Sequence, residues 1–431
     1  MAEEKRGISK TVLAVIITAV VVGAVVFAGA WLLFRPAPEE ADVLEIYHWW
    51  TAGGEKEAIS GLVEVFNERY PDTVIIESPV AGGAGIEMRT VIKTLMLAGE
   101  APDSFQTAGG SGVSLWVEEG LFESITFLWE EEGWTDVFPE GLQDLVKFDG
   151  EFYAVPANMG YHNMVWYNKA IFDANGITVP DDVDTWEELW SVAETLDGAG
   201  ITPFALGIGP HPWPLQEVFI PALAQNPDLF RKFLNGEITA TELKPALEIV
   251  NRFLDFVDLA DASAITWDQS AGRVFTGDAA MVFLGDIGNG YFKAQGWTYG
   301  VEYAAFRAPG NDGVLNVYSD VFPLPKGAKH RTNAINWLKV VGSVEGQEAF
   351  NPAKGSVPAR TGVSTAPFDA FTIEVMQNMV PTSVLLPDIW GGLTEESSGT
   401  VWILLGVLAD DRDVDSAATA IADAAESFKT W

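Results

Sequence analysis

The chain has 431 residues, room for two or three domains, and its 48% hydrophobic and 20% charged residues supply a core and exclude a disordered chain. With 25 Lys and Arg against 61 Asp and Glu the formal charge is −36, the wrong sign for a nucleic-acid binder, whose affinity comes from neutralising phosphates. Cysteine is absent and histidine numbers only 4, which removes disulfides, thiolate metal sites and thiol nucleophiles, while 16 tryptophans need a core or a ligand.

Residues 1–10 carry Lys5, Arg6 and Lys10, and residues 11–34 then contain no charged side chain. That length spans a hydrocarbon core of ~30 Å and predicts a transmembrane anchor. Basic residues before it, and Glu39, Glu40 and Asp42 after it, put 1–10 in the cytoplasm and the rest outside the cell. The stretch KRGIS at 5–9 resembles the short signal of pilin-like precursors of archaea, which implies cleavage between Gly7 and Ile8 with the membrane segment retained. Residues 35–42 read as a short tether containing proline.

Beyond it, 43–47 alternates and predicts a strand, and Ile59, Leu62, Val63, Phe66 and Tyr70 recur at helical spacing over 55–70. Residues 73–78 predict a second strand, Met88, Val91, Ile92 and Leu95 a second helix, and 104–106 a third strand. This β-α-β-α-β order predicts a parallel, doubly wound sheet. Asp149-Gly150 signals a hairpin. A second set follows, with strands at 164–167, 280–283 and 317–322. Helices fall at 243–254, 268–275, 333–341 and 417–428, and one more opens on the Thr185…Glu188 capping box.

Motifs for catalysis are missing. There is no Gly-x-x-x-x-Gly-Lys loop, no G-x-S-x-G elbow and no H-E-x-x-H pair, and Gly82-Gly83-Ala84-Gly85 lacks dinucleotide spacing. His48, His162, His211 and His330 are scattered, so neither a metal nor a cofactor is expected. What remains are aromatic and polar residues at strand ends, where open α/β sheets bind ligands. Trp49-Trp50 follows the first strand, Glu55 begins the next helix, Gln106 ends the third strand, Asn158 follows Val155-Pro156, and Asp320 lies in 317–322. Indoles offer an apolar plate to the C–H face of a sugar ring, and carboxylates and amides accept its hydroxyl hydrogens. Adjacent side chains on extended backbone diverge, so at most one of Trp49 and Trp50 stacks on a ligand. Trp116, Trp186, Trp190 and Trp337 sit in helical patterns and read as core.

From about residue 43 onward the chain resembles type 1 extracellular solute-binding proteins of ABC sugar importers, and is most similar to the glucose/mannose-binding members. The segments that carry this are EIYHWW (45–50), GGAG (82–85), KTLMLAGEAPDSFQ (93–106), AVPAN (154–158), WYN (166–168), TW (266–267), GD (285–286), SDVFPLPKGA (319–328), NAINWL (333–338) and FNPAKGS (350–356). The resemblance implies a periplasmic-binding-protein-like α/β fold of the maltose-binding-protein type, with two interleaved lobes and a central cleft. It implies lobe 1 from 43–157 and 317–361, lobe 2 from 158–316 and 362–431, and closure on a sugar that is then delivered to a permease. The sugar contacts it implies fall on Trp49 or Trp50, Glu55, Gln106, Trp267, Asp320 and Lys354, with Asn158, Asp286, Trp213 and Trp390 beside them. Close glucose/mannose binders carry a His where this chain has Ala108, and another where it has Leu385-Leu386. A surface glycoside hydrolase and a sugar sensor uncoupled from transport are the competing functions.

Overall fold

The structure is a computed structural model that describes residues 42–81, 85–179 and 183–427. The charge-free segment 11–34, the cleavage at Gly7 and residues Gly82, Gly83 and Ala84 lie outside the described residues. Among the described residues no helix is long and apolar enough to cross a membrane.

Alternation in VLEIYH turns Leu44, Ile46 and His48 inward along β1 (Val43–His48). The 3.6-residue spacing then buries Ala58, Ile59, Leu62 and Phe66 on one face of α1 (Gly53–Arg69). With β2 (Val74–Pro79), α2 (Ile86–Leu97) and β3 (Ser104–Phe105) these form a sheet of order β2-β1-β3, β1 running parallel to β3.

β4 (Thr107–Ala108) follows at once. Asp149 and Gly150, at φ 50° and 83°, close the hairpin of β5 (Lys147–Phe148) and β6 (Glu151–Phe152). The chain continues through β7 (Ala154–Pro156), β8 (Gly160–Tyr161) and β9 (Met164–Asn168). Both reciprocal bonds of the Thr185 capping box form at the start of α3 (Trp186–Gly198). Then come β10 (Thr202–Ala205), α4 (Gln216–Ala224), α5 (Ala240–Phe253), α6 (Trp267–Thr276), β11 (Ala279–Phe283), α7 (Asp286–Ala294) and β12 (Tyr303–Arg307). The rest comprises β13 (Val314–Tyr318), β14 (Asp320–Pro323), α8 (Arg331–Val341), α9 (Val344–Lys354), β15 (Val384–Pro387), α10 (Ile389–Gly392), α11 (Glu395–Asp411) and α12 (Val414–Ser427).

The second large sheet has the order β10-β11-β9-β12, with β10 and β11 parallel and β9 antiparallel to both of its neighbours. It is therefore a mixed sheet. It divides two apolar cores, and β9 shows how: Met164 and Trp166 face one core, Val165 and Tyr167 the other. Both faces are covered, so all five of its residues are buried.

One expected strand is two. Residues 317–322 break at Ser319, with β13 pairing β15 and β8, and β14 pairing β4 and β7. The break follows from side-chain competition for the backbone. Asn158 Oδ1 takes the Asp320 N–H at 2.8 Å, and Ser319 Oγ donates to the Asn158 carbonyl at 2.7 Å. The chain thus passes between sheets at 157–159 and again at 318–320, with Met159 and Val357 bridged alongside.

Candidate functional site

A cavity of about 490 Å³, within the range of small-molecule sites, opens at the carboxyl end of β1. It draws residues from elements far apart along the chain. Trp49, Glu55 and Asp320 come from β1, α1 and β14; Trp213, Trp267 and Asp286 come from the segments around α4, α6 and α7. Trp390 completes the sequence-selected residues that line it.

The indoles are held as a wall. Trp49 stacks on Trp390 at 5.9 Å between ring centroids, and Trp390 meets Trp402 edge-on at 6.0 Å. The Arg89 guanidinium lies 4.4 Å from the centre of the Trp390 ring. Gly85 explains one part of the GGAG segment: its φ is +65°, and a Cβ there would stand 2.3 Å from the Trp49 ring. Glycine is what lets the second helix start against the indole.

Beneath the wall the carboxylates are fixed by buried partners. Asp320 accepts from Gln106 Nε2 at 2.8 Å and from Asn158 Nδ2 at 2.9 Å, while Gln106 Oε1 takes the Trp49 N–H at 3.0 Å. Gln106 and Asn158 are wholly buried. Lys354 ends α9, where a cation suits the helix dipole, and its Nζ lies 2.9 Å from Tyr318 Oη, 3.2 Å from Asp286 Oδ2 and 3.7 Å from Glu55 Oε1. Burial pushes Glu55 up to about 8, more strongly than the Lys354 ammonium pulls it down. Burial also raises Asp320, against the same ammonium. For Lys354 the balance reverses. Desolvation would lower it, but Asp286, Glu55 and Asp320 outweigh that and raise it. Lys354 thus stays charged at neutral pH while Glu55 keeps its proton.

Four sequence-selected residues do not line the cavity. Trp50 is 1% exposed and packs on Phe350 and Phe322 in the first core, because it alternates with Trp49 on extended backbone. Gln106, Asn158 and Lys354 sit behind Asp320, Asp286 and Tyr318 and hold them. Trp116, Trp186 and Trp337 are core residues as expected, and Trp190 packs partly buried against the second core.

Other lining residues were not selected from the sequence as ligand contacts: Ala108 and His162, which were noted there for other reasons, and Glu217, Tyr318, Asp388 and Trp402, which were not noted at all. Glu217 carried a usable signal, a carboxylate inside the apolar stretch QEVFIPALA, every residue of which is buried in α4. Ala108, at one place where the resemblance puts a His in glucose/mannose binders, lines the cavity. Leu385 and Leu386, at the other, do not line the cavity, but Asp388 two residues on does.

The family model described as bacterial extracellular solute-binding protein matches residues 50–348. An uncharacterised ABC transporter extracellular-binding protein of Pyrococcus horikoshii is 38% identical over 90% of this chain and 88% of its own. A probable sugar-binding periplasmic protein of Brucella melitensis is 32% identical over 77% of this chain and 78% of its own. Among solved structures, a bacterial solute receptor described as having an exclusive preference for β-D-galactopyranose superposes with a TM-score of 0.77 at 18% identity, covering 90% of this chain and 98% of that one. That likeness establishes the α/β periplasmic-binding-protein fold. By the extent of the family match and the identity to its relatives, the chain belongs to the bacterial extracellular solute-binding proteins, a family of receptors rather than enzymes.

Proposed function

We propose that the cavity binds a neutral sugar and that the chain hands it to the membrane subunits of an ABC importer. The observation that carries this is the meeting of indoles with carboxylates in one cavity: Trp49, Trp213, Trp267 and Trp390 with Glu55, Asp286 and Asp320. An indole face suits the C–H face of a pyranose, and carboxyl groups bond its hydroxyls. Gln106, Asn158, Trp50 and Lys354 serve as the scaffold of those contacts. The Pyrococcus and Brucella relatives and the galactopyranose receptor support the reading by what their names say.

In this reading residues 43–157 and 317–361 form one lobe, and residues 158–316 and 362–431 the other. They hinge where the chain crosses at 157–159 and 318–320. Residues 11–34 anchor the receptor, with 1–10 in the cytoplasm and the cavity outside the cell, and processing after Gly7 leaves the anchor in place. The resemblance to glucose/mannose-binding members makes a hexose the first solute to try, while Ala108 in place of a His leaves room for a bulkier one.

Calorimetric titration of the full chain in detergent with D-glucose, D-mannose, D-galactose, D-xylose and maltose tests the sugar reading. At least one is expected to bind in the micromolar range or tighter and to be recovered intact; no heat from any of them counts against it. Membrane fractionation tests the anchor: the full chain should pellet, and a chain lacking residues 1–42 should not.

A further inference from the structure

His162, Glu217 and Asp388 reach the cavity from three distant parts of the chain, the loop after β8, α4 and the residue that opens α10. All three are more than nine-tenths buried. Glu217 grips one side of the imidazole, its Oε1 and Oε2 lying 2.9 and 3.0 Å from His162 Nδ1. The Tyr318 ring packs against the imidazole with centroids 5.0 Å apart. Asp388 is equally fixed, since its Oδ1 accepts the Gly391 N–H at 2.5 Å. The remaining atoms of the pair face one another without bonding. His162 Nε2 has no hydrogen-bond partner among the described residues, and Asp388 Oδ2 stands 3.6 Å from it, too far for a direct bond. A buried ring nitrogen left in this state calls for a partner.

The gap fits one kind of group. An oxygen about 2.8 Å from both atoms can sit astride a separation of 3.6 Å. It would have to accept from Nε2–H and donate to Oδ2 at once, which a hydroxyl does. A phosphate or carboxylate oxygen has no proton to give, and would face the charges of Asp388 and Glu217 instead. We propose that His162 and Asp388 clamp one hydroxyl of the bound sugar, with Glu217 holding the imidazole in place, and that this clamp selects neutral sugars over acidic or phosphorylated ones. Buried between two carboxylates, the imidazole keeps its proton across the neutral range: burial would pull it down, but Glu217 and Asp388 push it up to about 10. The donor is therefore constant.

The clamp rests on the reading of the cavity as a sugar site, and its test separates the two. Whichever of glucose, mannose, galactose, xylose or maltose binds the full chain most tightly is compared with its monodeoxy analogues and its phosphorylated counterpart. The wild type should lose about tenfold or more in affinity for one deoxy analogue, a loss typical of one unmade buried hydrogen bond, and should bind the phosphorylated sugar more weakly than the parent. In His162→Gln and Asp388→Asn that same deoxy-to-parent ratio should collapse toward one, with the ratios at other positions unchanged. A residue that merely supports the fold would weaken all the ligands together. The Asn variant keeps an oxygen for Gly391, so the test survives if His162→Gln fails to fold. Unchanged ratios in a folded variant, or a phosphorylated sugar bound as tightly as the parent, overturn the clamp. Failure of every sugar to bind the wild type overturns the sugar reading, and the clamp with it.

Discussion

Gln106 shows how a residue can matter to a site without facing it. Its amide bridges the Trp49 N–H and the Asp320 carboxylate, both buried, so Gln106→Leu leaves a donor and an acceptor unsatisfied. At about 1–3 kcal/mol for each such group, unfolding in urea should reveal a loss of roughly 2–6 kcal/mol; a change under 1 kcal/mol would mean that water replaces the amide. Two buried protons make a second prediction. Folded Glu55 holds its proton up to about 8 against an ordinary 4.5, and folded His162 up to about 10 against 6.5. In both cases the folded chain binds a proton that the unfolded chain has already released. Each contribution is complete below the unfolded value and is lost as pH rises, from 4.5 to about 8 for Glu55 and from 6.5 to about 10 for His162. Between pH 6.5 and 8 the windows overlap, and stability should fall by about 1.4 kcal/mol per pH unit for each group. Glu55→Gln should remove about half of that slope in urea midpoints. A midpoint that stays flat or rises across the window contradicts the assignment. The sequence exposed Trp49, Glu55 and Asp320 because they follow, open or lie in regular elements, and Trp267 through the family resemblance alone. It hid His162 and Asp388 because their chemistry arises only when β8, α4 and α10 meet.

Elements were legible where local chemistry dictates them. The Asp149-Gly150 turn and the Thr185 capping box formed as expected, since each is a bargain struck among a few neighbouring residues. The helix α11 was missed because TVWILLGV is apolar on every side and offers no period to read, and Ser319 was missed because its strand is broken by Asn158, far away in sequence. The junction of α1, α7 and α9 was equally invisible. The three helices pack together at the cavity floor, and a Cβ on Gly54 would stand 2.2 Å from the Ala353 carbonyl oxygen and 2.9 Å from Gly290 Cα. Backbone atoms cannot swing aside, so Gly54→Ala must part the helices that carry Glu55 and Lys354. Overpacking of this kind costs about 1–3 kcal/mol, and the displaced carboxyl group should weaken sugar binding about tenfold or more. Gly198→Ala, at the end of α3 with nothing near its Cβ, is the control and should leave both unchanged or slightly raise stability. Equal behaviour of the two variants would mean that the junction is loose.

At the scale of the whole molecule, the cavity is lined by elements that lie on either side of the crossings at 157–159 and 318–320. Trp49 and Asp320 belong to elements of the first side, while Trp267 opens a helix packed on the second large sheet. In the proposed two-lobe reading, a ligand that touches both sides binds a closed arrangement better than an open one, and it shifts the balance only by that difference. Trp267→Ala should therefore act on the amount of sugar needed and not on the shape finally reached. Loss of one stacking plate is expected to weaken affinity by about 1 kcal/mol or more, a factor of at least about five. Small-angle scattering across a sugar titration separates these quantities. Wild type and variant should both contract to the same radius of gyration at saturation, the variant at a higher sugar concentration. A variant that saturates at an intermediate radius would show that the indole shapes the closed state itself, and a wild type that never contracts would show that the two sides do not move as separate bodies. Because closure is a ratio of populations, a ligand that reaches only the first side should bind without contraction. A sugar whose affinity is untouched by Trp267→Ala should accordingly leave the scattering curve where it was.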